Sequence, residues 1–308
     1  MNPERPDPYQ LVTDLILQHL ERGVVPWRCP WNRSTGCPRN FHTGQAYQGV
    51  NVLLLGLQRF ASPWWMTFRQ AQARGGSIRK GEHGARVIKW GKHQRAAKNA
   101  SEPDEKKTVF YLKGYRVFNA TQIDGLEFPT MEESEPMSSE ERLTRAKEIV
   151  ADMPVPPLIH TGRSTQACYR PPTDTIDMPA FERFTERDDY YATLFHELVH
   201  ATGHQSRLAR RGVMVSDGLG GKVYSQEELV AEMGAAFLGM EADIVRDEHE
   251  LSASYLKSWL GALRDADHRR WIVQAASQAA RAADFILGRV GDGLTRPDTA
   301  AGLPPIVV

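Results

Sequence analysis

The run Thr193-Leu194-Phe195-His196-Glu197-Leu198-Val199-His200-Ala201-Thr202-Gly203 places two histidines four residues apart, with a glutamate directly after the first. On a helix, positions i and i+4 lie one above the other, so both imidazoles can reach a single ion. Glu197 falls at the edge of the same face, where its carboxylate can take the proton of a water attacking a carbonyl. Leu198 and Val199 carry no charge, which leaves the opposite face free to bury itself and hold the ligands rigidly. The implied chemistry is that of a zinc metallopeptidase-type helix, with His196 and His200 as metal ligands and Glu197 as general base. A surface helix carrying two satisfied histidines is the competing reading. It is weaker, because a helical setting and a candidate third ligand accompany the pair.

A hydrolytic zinc site needs three protein ligands and an open position. A third histidine in the pattern H-E-x-x-H-x-x-G-x-x-H would stand at residue 206, which is Ser206, although Gly203 matches. His204 lies too far along a continuous helix for the same ion, but the break at Gly203 can turn it toward substrate. Glu228-Leu229-Val230-Ala231-Glu232 offers two acids one turn apart: Glu228 as ligand and Glu232 as the partner that orients a ligand imidazole, with Glu232 the alternative ligand. Ser225 and Glu228 also fit a helix capping box, and Glu227 suits a first helical turn. Zn²⁺ is the expected ion, and another divalent metal such as Mn²⁺ suits the same donors. Such an ion polarises a carbonyl while Glu197 accepts the proton of the attacking water. Tyr169, His204 and Tyr224 are candidate contacts to the oxyanion or substrate, and spacing does not choose among them. The Gly218-to-Lys222 run lacks the Ser/Thr of a phosphate loop and reads as a flexible loop near the site.

A second constellation occupies the first ninety residues. Trp27, Trp31, Trp64, Trp65 and Trp90 are interleaved there with Arg28, Arg33, Arg39, Arg69, Arg79, Lys80, Arg86 and Lys89. Rings stack unpaired bases while cations follow phosphates, a sequence-tolerant way to hold a single strand. The zero net charge of the whole chain hides a division: residues 1–125 hold 19 Lys and Arg against 9 Asp and Glu, leaving 19 against 29 in the remainder. A basic half that faces nucleic acid, joined to an acidic half with another task, accounts for +10 against −10. Core packing of many of these rings is the competing reading.

These residues need elements to position them. A chain of 308 residues exceeds what most single cores require, which favours two domains. No apolar run is long enough to span a bilayer, so the expected location is the cytoplasm. Three cysteines without a C-x-x-C pair argue against a disulfide framework, and a Cys29/Cys37/His42 metal site is a minor alternative. Helices are predicted over residues 9–22, 50–59 and 67–74, with paired strands over 86–90 and 108–118 and a mobile loop over 92–107. A linker is expected over 127–140, since that stretch has acids, Pro and Ser without periodicity. Ser138 and Glu141 form a capping box for a helix to about Met153, and short strands suit 165–170 and 175–178. Further helices are expected over 186–202, 226–244, 252–264 and 268–289, with a glycine-rich loop over 211–223. The fold class is α+β in two domains: an α+β nucleic-acid-binding domain over 1–126, then a mainly helical domain with a small sheet over 141–294, and a flexible tail over 295–308.

The sequence resembles the ArdC-type antirestriction proteins of conjugative plasmids, which are related to the N-terminal part of plasmid TraC primases. The resemblance rests on Pro26-Trp27 and Pro30-Trp31, Asn40 with Thr43-Gly44, Tyr47, Gly49, and Asn51 to Leu55. It continues through Trp65-x-Thr67-Phe68, Arg79-Lys80-Gly81-Glu82-x-Gly84, Tyr115-x-Val117-Phe118-Asn119 with Gln122, then His196 to His204 and Glu227 to Glu232. It implies an N-terminal domain that binds single-stranded DNA and a C-terminal zincin-like metallopeptidase domain, in a protein that shields incoming plasmid DNA from host restriction. The implied partners are single-stranded DNA and an unidentified protein substrate, with no membrane. Candidate DNA contacts are Trp27, Trp31, Arg39, Asn40, Tyr47, Asn51, Trp65, Phe68, Arg79, Lys80, Lys89, Trp90, Lys113 and Tyr115. Salt-sensitive binding of single strands by residues 1–125 alone is expected. The alternative is a non-catalytic, single-strand-shielding protein whose metal site is structural or vestigial. Glu197 weighs against it, because a structural zinc needs no general base.

Overall fold

The computed structural model of the chain describes residues 7–28, 36–96, 106–129, 137–214, 222–244, 253–265, 268 and 270–289. In the N-terminal half, helix α1 (Pro8–Glu21) starts where the Asp7 carboxylate accepts the Tyr9 N–H at 3.0 Å. Proline at the first position costs nothing there, since its N–H would have no helical partner. Its buried stripe is Val12, Ile16 and Leu20, four residues apart. Strand β1 (Arg39–Asn40), helix α2 (Val50–Gly56) and strand β2 (Trp64–Thr67) follow. Helix α3 (Phe68–Ala73) is nucleated by a reciprocal capping box between Thr67 and Gln70. Then come β3 (Ser77–Ile78), β4 (Ala85–Ala96), β5 (Lys106–Asn119) and β6 (Ile123–Asp124). The main sheet has the order β1-β2-β5-β4, and β3 pairs with β6.

The β4–β5 ribbon is longer than its composition suggests. Pairing runs without a break from Ala85↔Val117 to Ala96↔Lys106, so part of the predicted mobile loop is strand. An antiparallel ribbon can be wet on a face, and its ladder needs no apolar side chains there. The strands β1 and β2 escape sequence reading because they are two and four residues long.

The C-terminal half opens with helix α4 (Ser139–Ala151), whose Ser138–Glu141 capping box forms in both directions. Strands β7 (Leu158–Thr161), β8 (Cys168–Arg170) and β9 (Thr175–Met178) make a sheet of order β7-β9-β8, with β8 at an edge. Helices α5 (Arg187–Thr202), α6 (Arg211–Met214), α7 (Lys222–Ala242), α8 (Ala253–Arg264) and α9 (Trp271–Ile286) complete the described chain. The expected loop over 211–223 therefore contains the short α6 and the start of α7; residues 215–221 of it, residues 130–136 of the expected linker and the expected tail lie outside the described residues.

Two domains of mixed helix and sheet are present, yet they share one core. Val12, Ile16 and Leu20 of α1 and Val50, Leu53 and Leu54 of α2 belong to the same buried cluster as Leu263 of α8 and Ile272, Ala276 and Ala279 of α9. Trp27 packs edge-on against Trp259 with ring centroids 5.6 Å apart. Gly49, at φ +56°, brings its backbone against α9: a Cβ there would stand 3.4 Å from the Ala276 carbonyl oxygen. No helix among the described residues is long and apolar enough to cross a membrane.

Candidate metal centre and nucleic-acid interface

Helix α5 buries Leu194, Phe195, Leu198, Val199 and Ala201, which fixes the opposite side where His196 and His200 stand. Helix α7 lies against it at the closest approach a side chain allows. A Cβ on Gly234 would come within 2.7 Å of Val199 Cγ2, so glycine is what lets α7 dock so tightly. That docking brings Glu228 to the two imidazoles. His196 Nε2 and His200 Nε2 are 3.1 Å apart, and the Glu228 carboxylate oxygens stand 3.5 Å from the first and 3.4 Å from the second. One donor atom from each of the three residues falls within 4.8 Å of the others.

Ligands held about 2.0–2.1 Å from a tetrahedral zinc are separated by roughly 3.3 Å, so this donor set fits a divalent ion. Its electrostatics agree. Burial alone would push the His200 imidazole down, but Glu227 and Glu228 outweigh it and raise it to about 10. Burial likewise opposes ionisation of Glu228, and the two imidazoles beside it overcome this and hold its carboxyl far below the usual range. The pocket favours positive charge, which a proton supplies in the metal-free chain.

Glu197 is buried, and its Oε2 accepts the Tyr169 backbone N–H at 2.7 Å. Edge strand β8 thus aims the candidate general base. The phenol of Tyr169, by contrast, donates to Asp174 at 2.9 Å, and Arg207 binds the same carboxylate. Burial, reinforced by Asp174, pushes that phenol well up. The hydroxyl is committed to Asp174, which corrects the expectation of Tyr169 as an oxyanion donor. His204 Nδ1 lies 2.8 Å from Ser206 Oγ and 4.0 Å from Asp174. The Tyr224 side chain lies outside the described residues.

Around the ligands, the structure redistributes the glutamates. Glu227, not Glu232, faces an imidazole: its Oε1 is 3.5 Å from His200 Nδ1. Buried Arg210 holds Glu227 through Nε at 3.2 Å to both oxygens, and also donates to the Val199 carbonyl at 2.6 Å. Glu232 instead accepts from Arg28 at 3.3 Å, one turn beyond Glu228, and so joins the N-terminal half to the helix that carries Glu228. The capping-box alternative for Ser225 and Glu228 fails because α7 begins at Lys222, which puts both residues, and Glu227 with them, inside the helix. Sequence reading missed Arg210 and the role of Glu227. The signal was the doubled acid Glu227-Glu228, which a helix start at residue 226 explained away.

In the N-terminal half the aromatics divide. Trp27 and Trp65 are 1% and 2% exposed, so neither can stack on a base. Asn51 is likewise structural, since its carboxamide donates to the Ile88 carbonyl and accepts the Ile88 N–H, both at 2.8 Å. Trp31 lies outside the described residues. Arg39, Lys80, Lys89 and Lys113 are exposed, as are Phe68, Trp90 and Tyr115. Arg79 is exposed too, but donates to Glu82 at 3.2 Å and to the Thr121 carbonyl. Tyr111, which sequence reading passed over, is 48% exposed. Asn40 and Tyr47 are half-buried and bonded to each other, Nδ2 to hydroxyl, at 3.3 Å.

Comparison with known proteins agrees with both halves. Residues 6–118 match the N-terminal domain of anti-restriction factor ArdC, and residues 144–278 match a zincin-like metallopeptidase. The metal-free crystal structure of the antirestriction protein ArdC from plasmid R388 superposes with a TM-score of 0.73 at 39% identity, covering 91% of this chain and 97% of that one. This chain belongs to the ArdC antirestriction family. The Mn(II)-bound structure of the R388 protein is similar at a TM-score of 0.71 and 36% identity, over 94% of this chain and 100% of that one. Protein y4eC of Sinorhizobium fredii is 35% identical over 94% of this chain and 95% of its own length. A DNA primase TraC of Escherichia coli is 35% identical over 91% of this chain, which spans only 27% of that primase. Within the family, the arrangement of an N-terminal ArdC domain followed by a zincin-like domain is the one seen here.

Proposed function

We propose that this protein holds single-stranded DNA through its N-terminal half and cuts peptide bonds at a divalent-metal site in its C-terminal half, protecting incoming plasmid DNA from restriction. The observation that carries the reading is the convergence of His196, His200 and Glu228 beside a Glu197 held by a strand edge. An ion bound by the three ligands would polarise a substrate carbonyl and acidify water, and Zn²⁺ is the metal these nitrogen and oxygen donors suit. Glu197 keeps Oε2 on the Tyr169 N–H and turns its other oxygen to the attacking water's proton, which it then returns to the leaving amine. Glu227 fixes the tautomer and tilt of His200, and Arg210 fixes Glu227. For DNA, the exposed rings of Trp90, Tyr111 and Tyr115 and the cations Lys89 and Lys113 lie on one hairpin.

The test compares wild type with Glu197→Gln, both loaded with zinc, on a mixture of proteome-derived peptides read by mass spectrometry. Metal-dependent cleavage by the wild type alone supports the reading. Full protection of a plasmid by Glu197→Gln during transfer into a restricting recipient would instead favour a shielding binder with a vestigial metal site.

A further inference from the structure

A cleft of about 600 Å³ lies where the two halves meet, between the β4–β5 ribbon, the start of α3 and helix α9. Its size is that of a small-ligand site, roughly 300–1,000 Å³. The floor is apolar, formed by the buried Val87 and Val117. At one end stands a polar cluster. Gln70 Oε1 accepts the Thr67 N–H at 2.9 Å and Asn40 Nδ2 at 3.2 Å, which fixes the orientation of its amide. Both protons of Gln70 Nε2 and the hydroxyl proton of Tyr47 are then without a partner among the described residues. Carbonyl oxygens and ring nitrogens of a nucleobase are the acceptors such donors fit.

The rims carry charge and rings. Lys89, Trp90 and Tyr115 border the cleft from the ribbon and are all exposed, and exposed Arg281 borders it from α9. Among the described lining residues the only acid is Asp284. The contact of the Gly49 backbone with Ala276 sets the width between the walls. Arg281 lies beyond both stretches that match the family models, which end at residues 118 and 278. We propose that this cleft seats one nucleotide of a single DNA strand, with the base against Gln70, Tyr47 and Tyr115 and the flanking phosphates at Lys89 and Arg281. The DNA seat is then composite, and a helix of the peptidase half forms one of its walls.

The inference rests on the single-strand-binding reading, and one set of titrations separates the two. The full-length protein is titrated by fluorescence anisotropy with a labelled oligothymidylate and with an abasic strand of equal length, over a range of salt. Wild type should bind both, the thymidylate more tightly. Arg281→Ala should weaken both and lower the slope of log K against log salt by about 0.7, one phosphate contact on a single strand. Tyr115→Ala should weaken the thymidylate about tenfold, as loss of a stacked base does. Gln70→Glu keeps the oxygen that caps α3 but removes the two donors, and should narrow the preference for thymidylate over the abasic strand, leaving the part that stacking on Tyr115 supplies. Lys147→Ala, an exposed charge on α4, should leave the slope unchanged. If wild type binds while Arg281→Ala keeps its slope and Tyr115→Ala keeps its affinity, the cleft is not the seat although single-strand binding stands. If wild type binds neither strand, both fall.

Discussion

At the scale of single residues, the proposed mechanism assigns metal ligation and proton transfer to different side chains. His196→Ala or Glu228→Ala should abolish stoichiometric zinc, while Glu197→Gln should retain it, because Glu197 touches the Tyr169 backbone and not the ligand triad. Metal content by mass spectrometry after dialysis checks both outcomes. Arg210→Met removes the cation from a buried carboxylate, which costs roughly 3–5 kcal/mol when the partner charge stays uncompensated. Glu227 then releases His200, and zinc affinity should fall about 10–100-fold, as losses behind a ligand do. Denaturant titration and competitive chelation measure the two. The His200 imidazole is raised to about 10, so in the metal-free chain its stabilisation is full below the ordinary histidine value and is lost as pH rises through about 10. Metal must displace that proton, so zinc binding near neutrality should release it and tighten as pH rises; calorimetry in buffers of different ionisation heat shows this. Much of this centre was legible from sequence. Two histidines at helical spacing declare themselves, but excluding a third histidine left Glu228 and Glu232 both open, and only the packing of α7 on α5 brings Glu228 to the imidazoles and Glu232 to Arg28. Arg210 does not, because its partner is reached through a loop that no periodicity describes.

At the scale of elements, one glycine on α7 permits the close approach to α5 that brings Glu228 to the two imidazoles. Gly234→Ala puts a methyl into Val199 and should cost about 1–3 kcal/mol by overpacking. Its sharper effect is to move α7 away from α5, so zinc affinity should fall although no ligand has changed. An unchanged affinity would mean that the loops set the Glu228 position instead. Helix α5 was readable to within a residue, because Gly203 marks its end and its buried residues have the right period. The start of α7 was not, because Lys222 to Ser225 carry no stop signal and the glycines before them suggested a loop. The ribbon was also misjudged at its outer end, where charged residues continue a ladder that asks only for backbone partners. Strand β7 gave little alternation to read, its two outer residues being exposed and its two inner ones half-buried.

For the whole molecule, the decisive feature is a core that ignores the division of the sequence. Charge separates the halves cleanly, but α1 and α2 bury their apolar faces among α8 and α9. Trp27 illustrates why sequence could not show this: its aromatic, arginine-flanked setting reads as a DNA platform, while its partner Trp259 lies 232 positions later. The shared core also changes one expectation, that residues 1–125 bind DNA alone. Excised, that fragment would uncover Ile16, Leu20 and Leu53, so it should aggregate, and light scattering would show it. In the intact chain both halves should melt together. Ile16→Ala, far from the metal, should cost about 2–5 kcal/mol and lower the single transition, while saturating zinc should add about 4 kcal/mol at a thousandfold excess over Kd. Calorimetry with and without chelator reads both. The most direct test of the account is cleavage of proteome-derived peptides by zinc-loaded wild type and zinc-loaded Glu197→Gln. Metal-dependent products from the wild type, and none from a variant that holds the same zinc, are the predicted result. Equal products from both, or none from either, would contradict it.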